Sequence, residues 1–334
     1  MRIAVIGAGA IGGSLGALLA RSGQDIVLVG RPENVAAIRS GGLHVDGFRG
    51  DFTAHVDAQE TLDRRPDLVL LAVKTQDVIP ALRQNASVLD GVPLVTLQNG
   101  LRSDELAASV LTPAQLVSGV VVMSATYLTP GQVTLIDEGN LVIGRPFGPN
   151  DDALQRIADV LGKAVNTRIS DNIRGAHWTK LMINLNNALP AMTNLSVSEA
   201  IADDRLSRLA VALIREGLQV ADRAGVRLET LPGIRVSSLR LLSKMPIGLA
   251  AGRFAAANRR LWSGQVNLGS TLQSIRRGRP TEIDYLNGEI VKQGADVGVP
   301  APLNAKVAAM VHNVEHTGRF YSVTEAMKEI GSLD

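Results

Sequence analysis

The sequence predicts two domains of different class, an α/β domain over residues 1–170 and an all-α domain over residues 171–334. Short apolar runs alternate with helical segments in the first half, whereas the second half is a succession of long Ala- and Leu-rich stretches at helical spacing. A glycine-rich turn stands between the first apolar run and the first helix. With 334 residues and 46% hydrophobic content, the chain has material for two buried cores.

The strands of the first half are read from continuous Val/Ile/Leu runs bounded by Gly, Pro or Asn, the pattern of strands buried on both faces of a mainly parallel sheet. "IAVIG" (3–7) comes first and leads into a helix ending near Arg21. "DIVLVG" (25–30), "DLVLLAVK" (67–74), "PLVTLQNG" (93–100), "LVSGVVVM" (116–123) and "NLVIGRP" (140–146) follow. Beyond about Asn150, helices are expected over 153–163, 174–190, 204–225, 234–260, 266–276, 280–297 and 303–317. There is no internal repeat and no low-complexity linker, so the boundary near 168–173 reads as a tight junction. Clefts between such domains commonly hold ligands.

Composition removes several functions. Cysteine is absent, which excludes disulfides, a thiol nucleophile and thiolate metal ligands, and fits a cytoplasmic protein. Lys plus Arg number 34 against 32 Asp plus Glu, and only 3% of residues are aromatic, so the chain lacks the concentrated charge or stacking rings of a nucleic-acid platform. No uninterrupted apolar stretch reaches membrane-spanning length. The N-terminus has the basic start and apolar run of an export signal, but its regularly spaced glycines have a better explanation.

That explanation is a dinucleotide site. In "GAGAIG", Gly7, Gly9 and Gly12 stand in GxGxxG spacing directly after a strand and at the start of a helix, with Ala10 and Ile11 in the same turn. The first glycine permits the tight turn, the second lets backbone approach a pyrophosphate, and the third allows close helix packing. The helix N-terminus favours the negative charge. This is a Rossmann-like arrangement. After the second strand, where an acidic residue would bind the ribose hydroxyls of NAD, the chain has Gly30 and then Arg31, which suits the extra phosphate of NADP. Glu33 is nearby but is expected on the following helix. Lys74 and Asn99 sit at the carboxyl ends of two further strands, where open α/β sheets bind ligands. Lys74 is placed to reach cofactor phosphate or ribose, and Asn99 to bridge the nicotinamide ribose and a substrate; ordinary turn chemistry is the alternative for Asn99-Gly100.

In the helical half, "HWTKLMINLNN" (177–187) raises the question of its single lysine. As a helix, Lys180, Asn184 and Asn187 share one face, and Trp178, Leu181, Met182, Leu185 and Leu189 form the opposite stripe. Solvated faces usually carry Glu, Lys, Arg or Gln, whereas an Asn-rich, nearly uncharged face suits a cleft wall.

Taken together, "IAVIGAGAIGG", "LLAVKTQDV" (70–78), "LQNG" (97–100), "NIRGAHWTKLMIN" (172–184), "EGLQVADRAGV" (216–226) and "LQSIRRGRPTEIDYLNG" (272–288) resemble the ketopantoate reductase (2-dehydropantoate 2-reductase) family over nearly the whole chain. The glycine fingerprint is shared with every Rossmann enzyme, and the last three motifs in combination are the specific part. The resemblance implies a C-terminal domain of the 6-phosphogluconate dehydrogenase type, and NADPH-dependent reduction of a 2-keto acid held between the domains, in pantothenate and coenzyme A biosynthesis. By position, it makes Lys180 the catalytic lysine and Glu282 its glutamate partner near the substrate. Asn184, Asn267 and Ser270 fall at substrate contacts, and Asn99, Lys74 and Arg31 on the cofactor side. The chemistry stands independently: hydride delivery builds negative charge on a carbonyl oxygen, which an ammonium can both stabilise and protonate. A nearby carboxylate favours the charged amine.

Three features depart from the family pattern. Asn187-Ala188 stands where an Asn-Pro pair is common, Gln273-Ser274 where Gln-Asp is usual, and the region 227–266 is longer than in compact members. Another keto or hydroxy acid, or an opine-type substrate, is therefore the second reading, and a non-enzymatic NADP-binding sensor the third. "HNVEH" (312–316) matches a zinc-protease pattern, but of the following residues only Glu325, Glu329 and Asp334 offer a third carboxylate ligand, and a solvated helix is expected instead. His177 is expected to pack or cap, and "IRRGRP" (275–280) to be a charged helix end. Helical domains of this kind often pair, which makes a homodimer an open expectation.

Overall fold

The computed structural model describes residues 1–261 and 267–333 and divides the chain into two compact units, Met1–Ala176 and His177–Asp334. The division falls after Ala176, within a helix, rather than at residue 170. Residues 262–266, the last part of the long 227–266 region, and Asp334 lie outside the described residues.

In the first unit the strands are β1 (Arg2–Ile6), β2 (Asp25–Val29), β3 (Leu43–Gly47), β4 (Phe52–Ala54), β5 (Asp57–Gln59) and β6 (Leu68–Leu71). They continue as β7 (Leu94–Thr96), β8 (Leu116–Val122), β9 (Ala125–Thr126), β10 (Gln132–Leu135), β11 (Asn140–Gly144) and β12 (Asn166–Ile169). Eight of them form one sheet in the order β12-β11-β8-β7-β6-β1-β2-β5. All neighbours in it are parallel except β8 and β11. Burial on both faces is visible in the alternation: Ile3 and Val5 of β1 enter one core cluster, Ala4 and Ile6 the other, and β2 and β6 divide the same way. Each buried Val, Leu or Ile side chain among them contributes on the order of 1.5–3 kcal/mol.

A second, four-stranded sheet, β4-β3-β10-β9, is a departure from the expected single sheet. Its strands are short and half-buried, so their alternating pattern is weak beside the continuous runs. The expected strand 67–74 also ends early, at Leu71. Its neighbour β1 stops at Ile6, and the last ladder bond, from the Ala72 N–H to the Ile6 carbonyl, leaves the chain free to turn.

The second unit is helical, as expected, with two helices beyond those anticipated, Val197–Ala202 and Val323–Ile330. Both begin with a capping box, Ser196 with Glu199 and Ser322 with Glu325, a signal that was present in the sequence. Three long expected helices are interrupted. The stretch 174–190 is a helix Ile173–Asn184, a 3-10 turn Leu185–Asn187 and a helix Ala188–Thr193. Pro190 has no N–H for the preceding turn, so it is accommodated in the first turn of a new helix. The stretch 234–260 breaks into Val236–Lys244 and Ile247–Leu261, because Met245, preceding Pro246, is held extended. The stretch 280–297 is a 3-10 turn Ile283–Tyr285 followed by a helix Asn287–Val297. Among the described residues, no helix is long and apolar enough to cross a membrane.

Candidate active site

The first unit brings the anticipated cofactor residues to one edge of its large sheet. Strands β2, β1, β6 and β7 are adjacent and parallel, so their carboxyl ends lie together, and the chain order reverses at β1. Such a switch point is where open sheets bind ligands. Gly7 leaves β1 with φ +117°, and its N–H donates to the Val29 carbonyl at 2.8 Å. A Cβ at Gly7 would stand 2.5 Å from the Ala72 backbone, and one at Gly12 would stand 2.0 Å from the Gly7 carbonyl. The turn therefore closes only with glycine at these two positions.

Gly9 faces open space and is the N-cap of the helix Ala10–Arg21, with no capping side chain and no acidic residue in the first turn. The N–H groups of that turn, which includes Ala10 and Ile11, are left for an anion, and the positive helix end favours one. These residues fit a dinucleotide pyrophosphate. Arg31 is exposed as the N-cap of the next helix, Pro32–Gly41, and Glu33 lies within that helix as expected. Asn34, which the sequence did not single out, donates its Nδ2 to the Ala8 carbonyl at 3.2 Å and ties this helix to the glycine turn.

Lys74 and Asn99 are both half-buried and belong to neighbouring loops. Lys74 caps a 3-10 turn, Thr75–Asp77, whose Thr75 hydroxyl donates to the Asn99 carbonyl at 3.2 Å. Gln98 stitches the same two loops together, its Nε2 donating to the Leu71 and Val73 carbonyls at 2.7 and 3.0 Å.

In the second unit, the helix carrying Lys180 is buried on nearly every side. Trp178, Leu181, Met182 and Leu185 are buried as the stripe required, and so are His177 and Thr179. Lys180, Ile183 and Asn187 form the half-exposed line, while Asn184, one turn after Lys180, is only 6% exposed. The polar face is thus narrower than the pattern suggested: Ile183 takes part in it and Asn184 is drawn into the interior.

Asn187 reaches Ser270, its Nδ2 lying 3.4 Å from the hydroxyl. Asn267 belongs to the same neighbourhood, accepting the Gly269 N–H at 2.9 Å through its side chain and the Val197 N–H at 2.8 Å through its carbonyl. The unanticipated helix Val197–Ala202 is therefore a support of this cluster. Backbone donation from Ser196, with its hydroxyl, holds the Glu199 carboxyl below the usual carboxylate range. Ser274 is buried and donates to the Ser270 carbonyl at 3.0 Å.

Glu282 is half-buried just before the 3-10 turn Ile283–Tyr285. Its segment is fastened to the end of the lysine helix by Asn287, whose Nδ2 donates to the Leu185 carbonyl at 3.3 Å and to Asn304 Oδ1 at 2.9 Å. Asn304 in turn donates to Glu216, which also accepts the N–H groups of Leu303 and Asn304 at 2.9 Å. Asn287 lies inside a motif already quoted, but nothing in a linear pattern marks an asparagine as the link between two segments. Elsewhere in this unit, "HNVEH" lies on a largely solvated helix, as expected, and both ring nitrogens of His312 are engaged by carboxylates.

A glycine turn at the switch point of a parallel sheet, followed by a helical unit with a half-exposed lysine, defines a class, that of dinucleotide-dependent oxidoreductases. The family is equally plain: the model described as ketopantoate reductase PanE/ApbA matches residues 3–147, its C-terminal counterpart matches residues 172–315, and the chain belongs to that family. A 2-dehydropantoate 2-reductase of Pyrococcus abyssi is 29% identical over 320 residues, covering 94% of this chain and 98% of that one. The crystal structure of a PanE/ApbA family ketopantoate reductase from Ralstonia eutropha JMP134 is 31% identical with a TM-score of 0.76, covering 95% and 99% of the two chains. D-mandelate dehydrogenase, solved with NADH and anilino(oxo)acetate, shares the fold at 22% identity and a TM-score of 0.80, covering 95% and 99%. The family consists of oxidoreductases acting on CH–OH groups, with NADPH as cofactor.

Proposed function

We propose that this chain reduces a 2-keto acid to the 2-hydroxy acid with NADPH, and that the acid is ketopantoate, the step that forms pantoate on the route to pantothenate. The observation that carries the reading is Lys180, a half-exposed lysine on an otherwise buried helix, which the family resemblance makes the catalytic lysine.

A bound NADPH supplies the hydride. As the carbonyl carbon accepts it, negative charge builds on the carbonyl oxygen, and the Lys180 ammonium stabilises that charge and gives up a proton to complete the hydroxyl. Glu282 orients the ammonium. Asn184, Asn267 and Ser270 hold the polar groups of the acid, and Asn187, hydrogen-bonded to Ser270, supplies the contact that an Asn-Pro pair would otherwise shape. On the cofactor side, the turn Gly7–Gly12 would take the pyrophosphate, Arg31 the ribose phosphate and Lys74 a cofactor phosphate or ribose, with Asn99 bridging the nicotinamide ribose and the substrate.

The test is the loss of NADPH absorbance with ketopantoate and with a panel of other 2-keto acids, repeated with NADH and with Lys180→Ala. Turnover on ketopantoate with NADPH, lowered about 10²–10⁴-fold in Lys180→Ala without weaker NADPH binding, is the expected result. Turnover on a different acid only would keep the mechanism and replace the substrate, an outcome favoured by Ser274 standing in place of a carboxylate. No turnover despite tight NADPH binding would favour a sensor.

A further inference from the structure

The helix Pro302–Thr317 grips the turn that carries Glu282 at two points. Glu315 Oε1 accepts the Thr281 backbone N–H at 2.7 Å, immediately before Glu282. His312 Nε2 meets Asp284 Oδ1, two residues after Glu282, at 2.8 Å, and His312 Nδ1 meets Glu315 Oε2 at 2.8 Å. The imidazole thus closes a ring of contacts, Thr281 to Glu315 to His312 to Asp284, around the segment that presents Glu282.

The protonation state of His312 decides whether that ring closes. A neutral imidazole has one N–H and one lone pair, so it can donate to only one carboxylate and turns a lone pair towards the other. The imidazolium donates to both. Burial is the largest single influence on the ring and pushes its pKa down, yet the hydrogen bonds and charges of Asp284 and Glu315 outweigh it and leave the pKa raised. Among the described residues, the charged groups facing the ring are Asp284, from the turn Ile283–Tyr285, and Glu315, from its own helix. His316 directs its Nδ1 to the His312 carbonyl at 2.7 Å. The neighbouring helices Ala188–Thr193, Asp204–Arg223, Asn287–Val297 and Val323–Ile330 bring no further charge to the ring among those residues.

We propose that His312 is a positioning residue for the reaction: as an imidazolium it ties Asp284 to Glu315 and holds Glu282 in its working place, and loss of its proton loosens the turn. The proposal rests on Glu282 being the partner of Lys180. A raised pKa means that the clamp is complete below the ordinary histidine value and is lost as pH rises through the value in the folded chain. Because the Asp284 side chain is 68% exposed, that arm is a screened surface pair, and the effect on turnover is modest rather than absolute.

The experiment uses the full chain and follows three signals from about pH 5.5 to about pH 9: the Glu282 amide shift, the His312 imidazole shift, and kcat with KM for NADPH-dependent keto acid reduction. It compares the unaltered chain with His312→Gln and Asp284→Asn. The Glu282 amide is expected to titrate with His312, at a midpoint above the ordinary value of about 6.5, and that midpoint falls in Asp284→Asn. In His312→Gln, kcat at about pH 6 is expected to drop roughly three- to tenfold with KM for NADPH unchanged, and the alkaline fall in kcat disappears. A Glu282 amide indifferent to the His312 titration overturns the proposal, as does a His312→Gln profile that coincides with that of the unaltered chain. Asp284→Asn changes one exposed atom and keeps the test decisive if His312→Gln does not fold. An unaltered chain that reduces none of the acids, while the amide still follows His312, would instead sink the reading of Glu282 as a catalytic group and leave the clamp standing.

Discussion

Lys180 owes its chemical meaning to its neighbours. The residues flanking it, Thr179 and Leu181, are fully buried, so the helix is pinned and the ammonium is presented from a rigid support rather than from a mobile surface. Arg31 is the opposite case, an exposed side chain on the first residue before a helix, where its guanidinium can close on a phosphate with little else to hold it. Arg31→Ala is accordingly expected to raise KM for NADPH roughly tenfold to a hundredfold while leaving KM for NADH within about twofold. Steady-state kinetics with the two coenzymes decides it, and equal losses with both would remove Arg31 from the ribose phosphate. Asn187→Ala removes the partner of the Ser270 hydroxyl and is expected to raise KM for the keto acid several-fold, by about 1 kcal/mol, with coenzyme KM unchanged.

At the scale of elements, the lysine helix is held by polar ties as much as by its apolar stripe. Glu216, 9% exposed, accepts the Leu303 and Asn304 N–H groups and the Asn304 side chain, so a carboxylate from one helix caps the N-terminus of another. Asn304 passes that order to Asn287, and Asn287 passes it to Leu185. Glu216→Gln keeps the shape but turns one acceptor into a donor facing a donor. It should destabilise the second unit by about 2 kcal/mol, read as a lowered urea midpoint. An unchanged midpoint would show that this buried network carries no stability. The same network explains why a glutamine at 216, remote in sequence from Lys180, is expected to lower kcat as well.

For the whole molecule, the shifted carboxylates make stability fall on acidification. Backbone N–H donation from Leu154, Ser196 and Ser322 depresses the pKa of Asp151, Glu199 and Glu325 respectively, all at helix N-termini. A depressed folded pKa means stability that is fully present above the unfolded value of about 4 and lost as pH falls through the folded one. His312, with a raised pKa, acts in the opposite sense and withdraws its contribution as pH rises. Melting followed by circular dichroism should therefore show a plateau in the weakly acidic range, with a shallow fall below about pH 4 and another on the alkaline side. A melting temperature that climbs steadily on acidification would contradict the assignment of these caps.

Much of this was legible in the linear chain, and the reasons are physical. The strands buried on both faces of the large sheet, and the glycine turn after β1, announce themselves because burial and tight turning restrict residue type position by position: Ile3 to Ile6 must be apolar, and a Cβ at Gly7 or Gly12 would strike backbone. The lysine helix and the family motifs were readable for the same reason. The capping boxes at Ser196 and Ser322 were also written in the sequence and simply compete with many similar tetrapeptides. What only the tertiary structure decided are the pairings between segments distant in the chain: the small sheet of β3, β4, β9 and β10, the Asn187–Ser270 contact, the Asn287–Leu185 tie, and the hold of His312 and Glu315 on the Glu282 turn. Local pattern constrains which face of an element is apolar, but a hydrogen bond between residues far apart in sequence depends on where the completed packing brings their polar atoms.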